Sequence, residues 1–146
     1  MPRHAERRVV PYSVDQMFDL VADIEKYPDF LPWCVAARIR RREGDVLLAD
    51  LVIGFKMIRE RYTSRVALNR AEGRIDVAYT EGPFSHLENH WRFEPCPEGG
   101  CEVDFFVDFA FKNRVLDALM GRLFGEAVGL MVGAFDTRAQ ALYGEL

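Results

Sequence analysis

With 146 residues, the chain has the length of one domain large enough to bury its own core. Hydrophobic residues make up 49% and charged residues 29%, which is ordinary for a globular protein. A net charge of −4 excludes a global basic field that would draw the chain to DNA or to an acidic membrane, although sixteen Arg against three Lys leave room for a local basic patch. The longest apolar run, Ala127 to Phe135, is far short of the ~20 residues needed to span a bilayer. The first residues, Met1 to Arg8, lack the apolar core of a secretory signal. Cys34, Cys96 and Cys101 are odd in number and show no C-x-x-C spacing, so reduced thiols in a cytoplasmic protein are expected, with a Cys96–Cys101 bridge across a hairpin as the alternative.

In chain order, residues 3–11 make a weakly patterned strand. Ser13-Val-Asp-Gln16 then reads as a capping box, and Val14, Met17, Phe18 and Val21 follow at helical spacing to about Asp23. Residues 23–34, Asp-Ile-Glu-Lys-Tyr-Pro-Asp-Phe-Leu-Pro-Trp-Cys, form a greasy segment punctuated by Pro28 and Pro32. Proline has no N–H and restricts its predecessor, so this segment cannot be an ordinary helix interior or a central strand. Loops normally stay polar. This one must fold down over something apolar or offer its side chains to a ligand.

From Cys34 to Phe111 the period becomes two. Leu47, Ala49, Leu51, Ile53 and Phe55 share one face of a strand, and Ile58, Tyr62, Val66 and Leu68 share one face of the next. Further on, Ile75, Val77 and Tyr79 are followed by Leu87, Trp91 and Phe93, and then by Cys101, Val103, Phe105, Val107, Phe109 and Phe111. Turns at Glu43-Gly, Glu72-Gly, Glu81-Gly-Pro and Pro97-Glu-Gly-Gly separate the runs, the pattern of an antiparallel meander with one wet face.

After Phe111 the period is helical, from an Asn113 N-cap to a Gly144 stop. Leu116, Leu119, Met120, Leu123, Phe124, Ala127, Leu130, Met131, Ala134, Phe135 and Leu142 fall on one broad arc, wider than the ~100° stripe of a surface helix. The expected fold is α+β: a strongly curved antiparallel sheet wrapped around a long C-terminal helix, with short helical segments near residues 13–30.

The segment from Asp23 to Cys34 resembles the signature of the coenzyme-Q-binding START-domain family, within the polyketide cyclase / START-like helix-grip superfamily. Gly82-Pro-Phe-Ser-His-Leu87 with Trp91 and Phe93 resembles its second motif, and Met131 to Ala139 its helical end. The resemblance spans essentially the whole chain. It implies a helix-grip fold with an apolar cavity between sheet and helix, and non-enzymatic binding, transport or chaperoning of ubiquinone or a related isoprenoid or lipid in support of respiratory electron transfer. A ribosome-binding branch of the family implies a different role, binding the large subunit and blocking subunit association; a cyclase-like enzyme is the third reading. Lid candidates are Phe30, Leu31 and Trp33. Cavity candidates on the strands are Phe55, Tyr62, Tyr79, Asn89, Trp91, Phe105 and Phe109, and on the helix Leu123, Ala127 and Met131. Whether the space is hollow or filled by the chain's own Phe side chains is open at this stage.

Glu60, Ser64 and Asn89 break the apolar face by parity. Each is either a group turned to water at a bulge or strand end, or a partner for a ligand, with Asn89 and a tyrosine donating to a quinone carbonyl. Outward-facing charges split, with Arg38, Arg40, Arg42, Arg59, Arg61, Arg65 and Arg74 on early strands and Glu88, Glu94, Glu102, Asp104 and Asp108 on late ones. Cross-strand ion pairing accounts for such a face, and docking to ribosomal RNA or a respiratory complex is the functional reading. Gly121, Gly125, Gly129 and Gly133 recur along the flank of the helix shared with Arg122, Glu126, Asp136 and Gln140, where close approach of another element or a partner is one reading and their purpose is open.

Enzyme signals are poor. None of the three serines lies in G-x-S-x-G, no glycine-rich phosphate loop opens a helix, and Glu60 is the one candidate acid or base. In a strand, His86 and His90 stand ~13 Å apart, too far to share a zinc ion. A monomer without metal or covalent cofactor is expected, with a hydrophobic small molecule as ligand and peripheral contact with the inner membrane at most.

Overall fold

The computed structural model describes residues 3–56 and 58–144. Seven strands form one sheet: β1 (Arg3–Val10), β2 (Cys34–Glu43), β3 (Val46–Phe55), β4 (Ile58–Asn69), β5 (Arg74–Glu81), β6 (Phe84–Pro95) and β7 (Cys101–Phe111). Their order is β1-β7-β6-β5-β4-β3-β2, and every neighbouring pair is antiparallel. The meander from β2 to β7 is sequential, and β1 adds to its far edge beside β7. Register shifts at Cys34/Ala36, Ile39/Arg41, Thr63/Ser64 and Phe84/His86 mark bulges, which bend and twist the sheet around a concave face.

Helix α1 (Val14–Ala22) begins at the capping box: Ser13 Oγ accepts from Gln16 N (3.0 Å), and Gln16 Oε1 accepts from Ser13 N (2.9 Å). The greasy segment is more regular than its prolines suggest. A 3₁₀ turn (Ile24–Lys26) runs into the single-turn helix α2 (Tyr27–Phe30). Pro28 fits there because it lies in the first turn, where an N–H has no intrahelical partner to lose. Leu31 closes the turn, its N–H bonding to Tyr27 O (2.8 Å).

The long helix α3 (Arg114–Tyr143) starts at Asn113, whose Oδ1 accepts from Val115 N (2.8 Å) and Leu116 N (3.1 Å), and ends at Gly144 with φ 77°. Its buried face is not the uniform arc expected. Met120, Met131, Phe135 and Ala139 are buried, whereas Leu130 and Leu142 lie exposed. The face rotates because the C-terminal half packs against the α1 side: Tyr143 Oη donates to Gln16 O (2.8 Å), and its ring meets Tyr12 at 5.9 Å. The four helix glycines are also not where a close neighbour would put them. All are exposed, and a Cβ on any of them would meet nothing within 4 Å.

The main core lies between α1, the α2 segment, the sheet and the C-terminal half of α3, centred on side chains such as Phe18, Leu47, Ile75 and Phe93. Full burial of each is stabilising by ~1.5–3 kcal/mol. A smaller cluster of Ile58, Phe84, Phe111 and Met120 sits toward the start of α3. The three cysteines are free thiols, with no Cys96–Cys101 bridge.

Candidate functional site

Between the concave face and α3 lies a cavity of about 180 Å³. A single water needs ~10–15 Å³ of such space, so this is no packing defect. Strands β3 and β4 supply Leu51, Ile53, Phe55, Ile58 and Tyr62, and β5 supplies Val77. Strands β6 and β7 supply Phe84, Leu87, Asn89, Trp91, Phe105, Val107, Phe109 and Phe111. Helix α3 closes the space with Met120, Phe124, Ala127, Val128, Met131 and Phe135, and the segment around α2 covers it with Tyr27, Leu31 and Trp33. Seven of the eleven Phe thus line the space instead of filling it.

The alternation along each strand explains the lining, because every contributor from β3 to β7 has inward parity except Phe84, which the bulge between Phe84 and His86 turns inward. Ten of the thirteen expected residues are here: Leu31, Trp33, Phe55, Tyr62, Asn89, Trp91, Phe105, Phe109, Ala127 and Met131. Phe30, Tyr79 and Leu123 are not in the lining, and each has a physical reason. Phe30 turns to the flank of the lid, edge-on to Phe135 at 5.2 Å and beneath the Arg138 guanidinium at 5.3 Å. Tyr79 packs behind Phe84 (5.5 Å), and its hydroxyl accepts from Phe84 N (3.0 Å). Leu123 falls to one side of the arc occupied by Met120, Phe124, Ala127 and Met131. Tyr27, Phe84, Phe111, Phe124 and Phe135 line the space without having been expected there; inward parity marks Phe111 and helical spacing marks Phe124 and Phe135, whereas Phe84 is turned inward only by the bulge before His86.

Lid and cavity are joined by short-range chemistry. The Trp33 carbonyl accepts from Gly54 N (2.8 Å), and Leu31 O accepts from Cys34 N (3.1 Å). Gly82 has φ 144°, and a Cβ there would stand 2.7 Å from Tyr62 Cβ, so the start of the second motif sets the Tyr62 side chain in place. The Tyr27 hydroxyl donates to Val21 O, fixing the lid to the end of α1.

Electrostatically the cavity is quiet: no charged side chain lines it. Burial raises the pKa of both Tyr27 and Tyr62, so both stay neutral. Burial likewise pushes the Cys34 thiol up to about 11 against its hydrogen bond to Ala36 O, making it an inert core group. Asn89 faces inward with its capacity largely used, since Nδ2 donates to Phe106 O (2.9 Å) and Oδ1 accepts from Trp91 Nε1 (3.2 Å). Ser64 is 1% exposed, and its hydroxyl has no hydrogen-bond partner among the described residues; the neighbouring bulge does not turn it to water. Glu60 is half-buried and not in the lining.

The opposite face holds the charges. Asp50 is 5% exposed although its parity is outward. Thr63 Oγ1 donates to Asp50 Oδ1 (2.6 Å), while Arg61 (3.3 Å), Arg40 (3.5 Å) and Arg38 (3.6 Å) crowd Oδ2. Burial alone would raise this carboxyl, but the Thr63 hydrogen bond and the Arg61 and Arg40 guanidiniums outweigh it and hold its pKa below the ordinary carboxylate value. Glu81 also stands 3.6 Å from Arg40, so two carboxylates meet three guanidiniums and an excess of positive charge remains, while exposed Arg42, Arg59 and Arg65 make no ion pair among the described residues. Across the sheet the acids are paired differently: Glu102 and Asp104 with Arg7, Asp108 with His86, and Glu88 with His90. A cleft of about 210 Å³ among Arg74, Asp76, His90, Arg92 and Asp104 is bridged by its own charges, with His90 Nδ1 2.7 Å from Asp76. No group of three or more His, Cys, Asp or Glu is placed to hold a metal ion among the described residues.

A family described as polyketide cyclase / dehydrase and lipid transport matches residues 10–136. The chain belongs to this family. It is 39% identical over 136 residues to the ribosome association toxin RatA of Rickettsia prowazekii, covering 91% of this chain and 92% of that protein. It is 35% identical over 144 residues to the mitochondrial coenzyme Q-binding protein COQ10 homolog B of Xenopus laevis, covering 97% of this chain and 59% of that longer one. Among solved structures, a START superfamily protein from Mycobacterium smegmatis superposes with a TM-score of 0.82 at 20% identity, covering 96% of this chain and 98% of that one, which establishes the shared helix-grip fold. No helix among the described residues is long and apolar enough to cross a membrane.

Proposed function

We propose that this protein binds a neutral, mostly apolar small molecule of the quinone, isoprenoid or lipid class in the cavity under α3, and carries or chaperones it without chemical change in support of respiratory electron transfer. The cavity carries the reading: about 180 Å³ walled by apolar and aromatic side chains, with no charged group among them. Apolar surface moved into it from water is stabilised by ~25 cal/mol per Å². A relative named for coenzyme Q binding supports the same class of guest. Cyclase chemistry needs a positioned acid or base, and the lining offers two neutral tyrosines and an amide already committed to its neighbours. The protein then acts from the cytoplasm, with peripheral contact at the inner membrane at most. Solvent extraction of the chain purified from its native host, followed by mass spectrometry, should recover a quinone or lipid. An empty extract, together with no chemical-shift change on adding short-chain ubiquinone, would sink the reading.

A second reading rests on the convex face. The guanidiniums clustered over Asp50 form a positive surface suited to RNA phosphates, and several relatives are named ribosome association toxins. On this reading the chain co-sediments with large ribosomal subunits, and charge reversal at Arg38, Arg40 and Arg42 together abolishes it. Sedimentation that ignores the reversal rules the face out as the contact.

A further inference from the structure

The polar groups of the cavity divide by whether their hydrogen bonds are already spent. The Tyr27 hydroxyl donates to Val21 O, and Asn89 and Trp91 are tied to one another and to Phe106 O. The Tyr62 hydroxyl is different: it lines the cavity and has no hydrogen-bond partner among the described residues. Its ring is locked edge-on to Phe84 at 5.2 Å, and its backbone is paired with Leu51 and backed by Gly82. The side chain is therefore fixed while its O–H is free. Trp33 enters the same end, through its bond to Gly54, next to Ile53 and its cross-strand partner Glu60. Its indole N–H is buried there without an acceptor. A buried donor with no partner is destabilising, and an acceptor brought in by a guest removes that penalty.

We propose that Tyr62 recognises the polar head of the guest. Its hydroxyl donates to a carbonyl or ether oxygen of a neutral, otherwise apolar molecule whose head lies beneath the Tyr27–Trp33 segment. The tail runs toward Phe109 and Phe124, where the walls carry no polar side chain. Because no Lys, Arg or His lines the space, an ionised carboxylate has no counter-charge there, so ketone-, quinone- or ester-headed hydrophobes are taken in preference to fatty acids. This selectivity rests on the small-molecule reading above.

Three probes separate the outcomes in chemical-shift titrations of the full chain: decylubiquinone, decylbenzene (ring and tail without oxygen) and decanoate at about pH 8, where the acid is ionised. The unaltered protein should bind decylubiquinone at least about tenfold more tightly than decanoate, and Tyr62→Phe should weaken decylubiquinone about tenfold while leaving decylbenzene unchanged. Equal binding of decylubiquinone by both proteins, equal loss of both neutral probes in the variant, or decanoate matching decylubiquinone on the unaltered chain overturns the assignment but leaves a cargo site in place. Failure of the unaltered protein to bind either neutral probe overturns the cargo reading, and the role of Tyr62 with it.

Discussion

Filling the cavity should make the protein more stable and less able to bind. Ala127 lines the space from the middle of α3. At ~24 cal/mol per Å³, a void of about 180 Å³ corresponds to roughly 4 kcal/mol of packing that the fold leaves unrealised. Ala127→Leu adds about three methylene equivalents, each favourable by ~0.8 kcal/mol when buried. Leucine is nearly as good a helix former as alanine, so little is lost locally. A net gain of about 1–2 kcal/mol is expected once imperfect fit is allowed for. In urea this shifts the unfolding midpoint up by roughly 0.5–1 M with an unchanged slope. The same variant should lose at least about tenfold in affinity for decylubiquinone, because guest and leucine compete for one volume. Opposite signs in the two assays are the signature of space kept open for use. A loss of stability beyond about 1 kcal/mol would show an already packed wall, and a stabilised variant with unchanged affinity would show that the guest sits elsewhere.

Three further perturbations test other parts of the structure. Asp50→Asn should cost about 1–2 kcal/mol at neutral pH, a figure discounted because the arginines over Asp50 are largely exposed. Since the folded-state pKa of Asp50 is depressed, its contribution is present above the ordinary carboxylate pKa and fades as pH falls below about 4, so the difference between the two proteins in chemical denaturation should close there. Gly129→Ala should raise stability by ~1 kcal/mol, read as a higher urea midpoint, because its Cβ meets nothing within 4 Å; a loss would reveal a contact that the fold does not show. Burial pushes Cys34 and Cys101 up to about 11, so folding favours their protonated thiols, and stability should decline from about pH 9 toward 11; replacing Cys101 with Ser or Ala should flatten part of that decline.

Local signals in the sequence proved reliable where one interaction decides the outcome. Ser13 and Gln16, or Asn113 and the two amides it caps, need nothing beyond their neighbours, and both helices begin where those residues place them. Period-two alternation assigned the inward side of every strand from β3 to β7 for the same reason. What depends on distant packing was less legible. Leu130 and Leu142 match the apolar arc of α3, yet the helix leans on α1 through Tyr143 and leaves them in solvent. Asp50 has outward parity, and its burial arises because arginines from β2 and β4 converge above it, a coincidence of three strands. The cavity is hardest of all to foresee. A row of inward phenylalanines reads the same whether the rings interdigitate or stand apart, and the curvature that separates them depends on bulges whose positions no single strand reveals.

Strands β3 and β4 show how one sheet carries two faces of opposite character without mixing their chemistry. Leu51 pairs with Tyr62 and faces the cavity, while the adjacent pair, Asp50 and Thr63, faces the other way and anchors the arginine cluster. A one-residue step along the chain therefore changes the environment from a dry, uncharged pocket to a field of guanidiniums. The strict alternation of the pleat keeps the two apart, since a shift of register by one residue would put a carboxylate in the pocket and a leucine among the arginines. Such a slip is costly on both faces at once, which strongly specifies the register of this pair. Relatives named for coenzyme Q binding and for ribosome association are both similar to this chain over nearly all of its length. Cavity-lining residues and residues of the arginine cluster occupy alternating positions, so substitutions can tune one face while the side chains of the other keep their contacts.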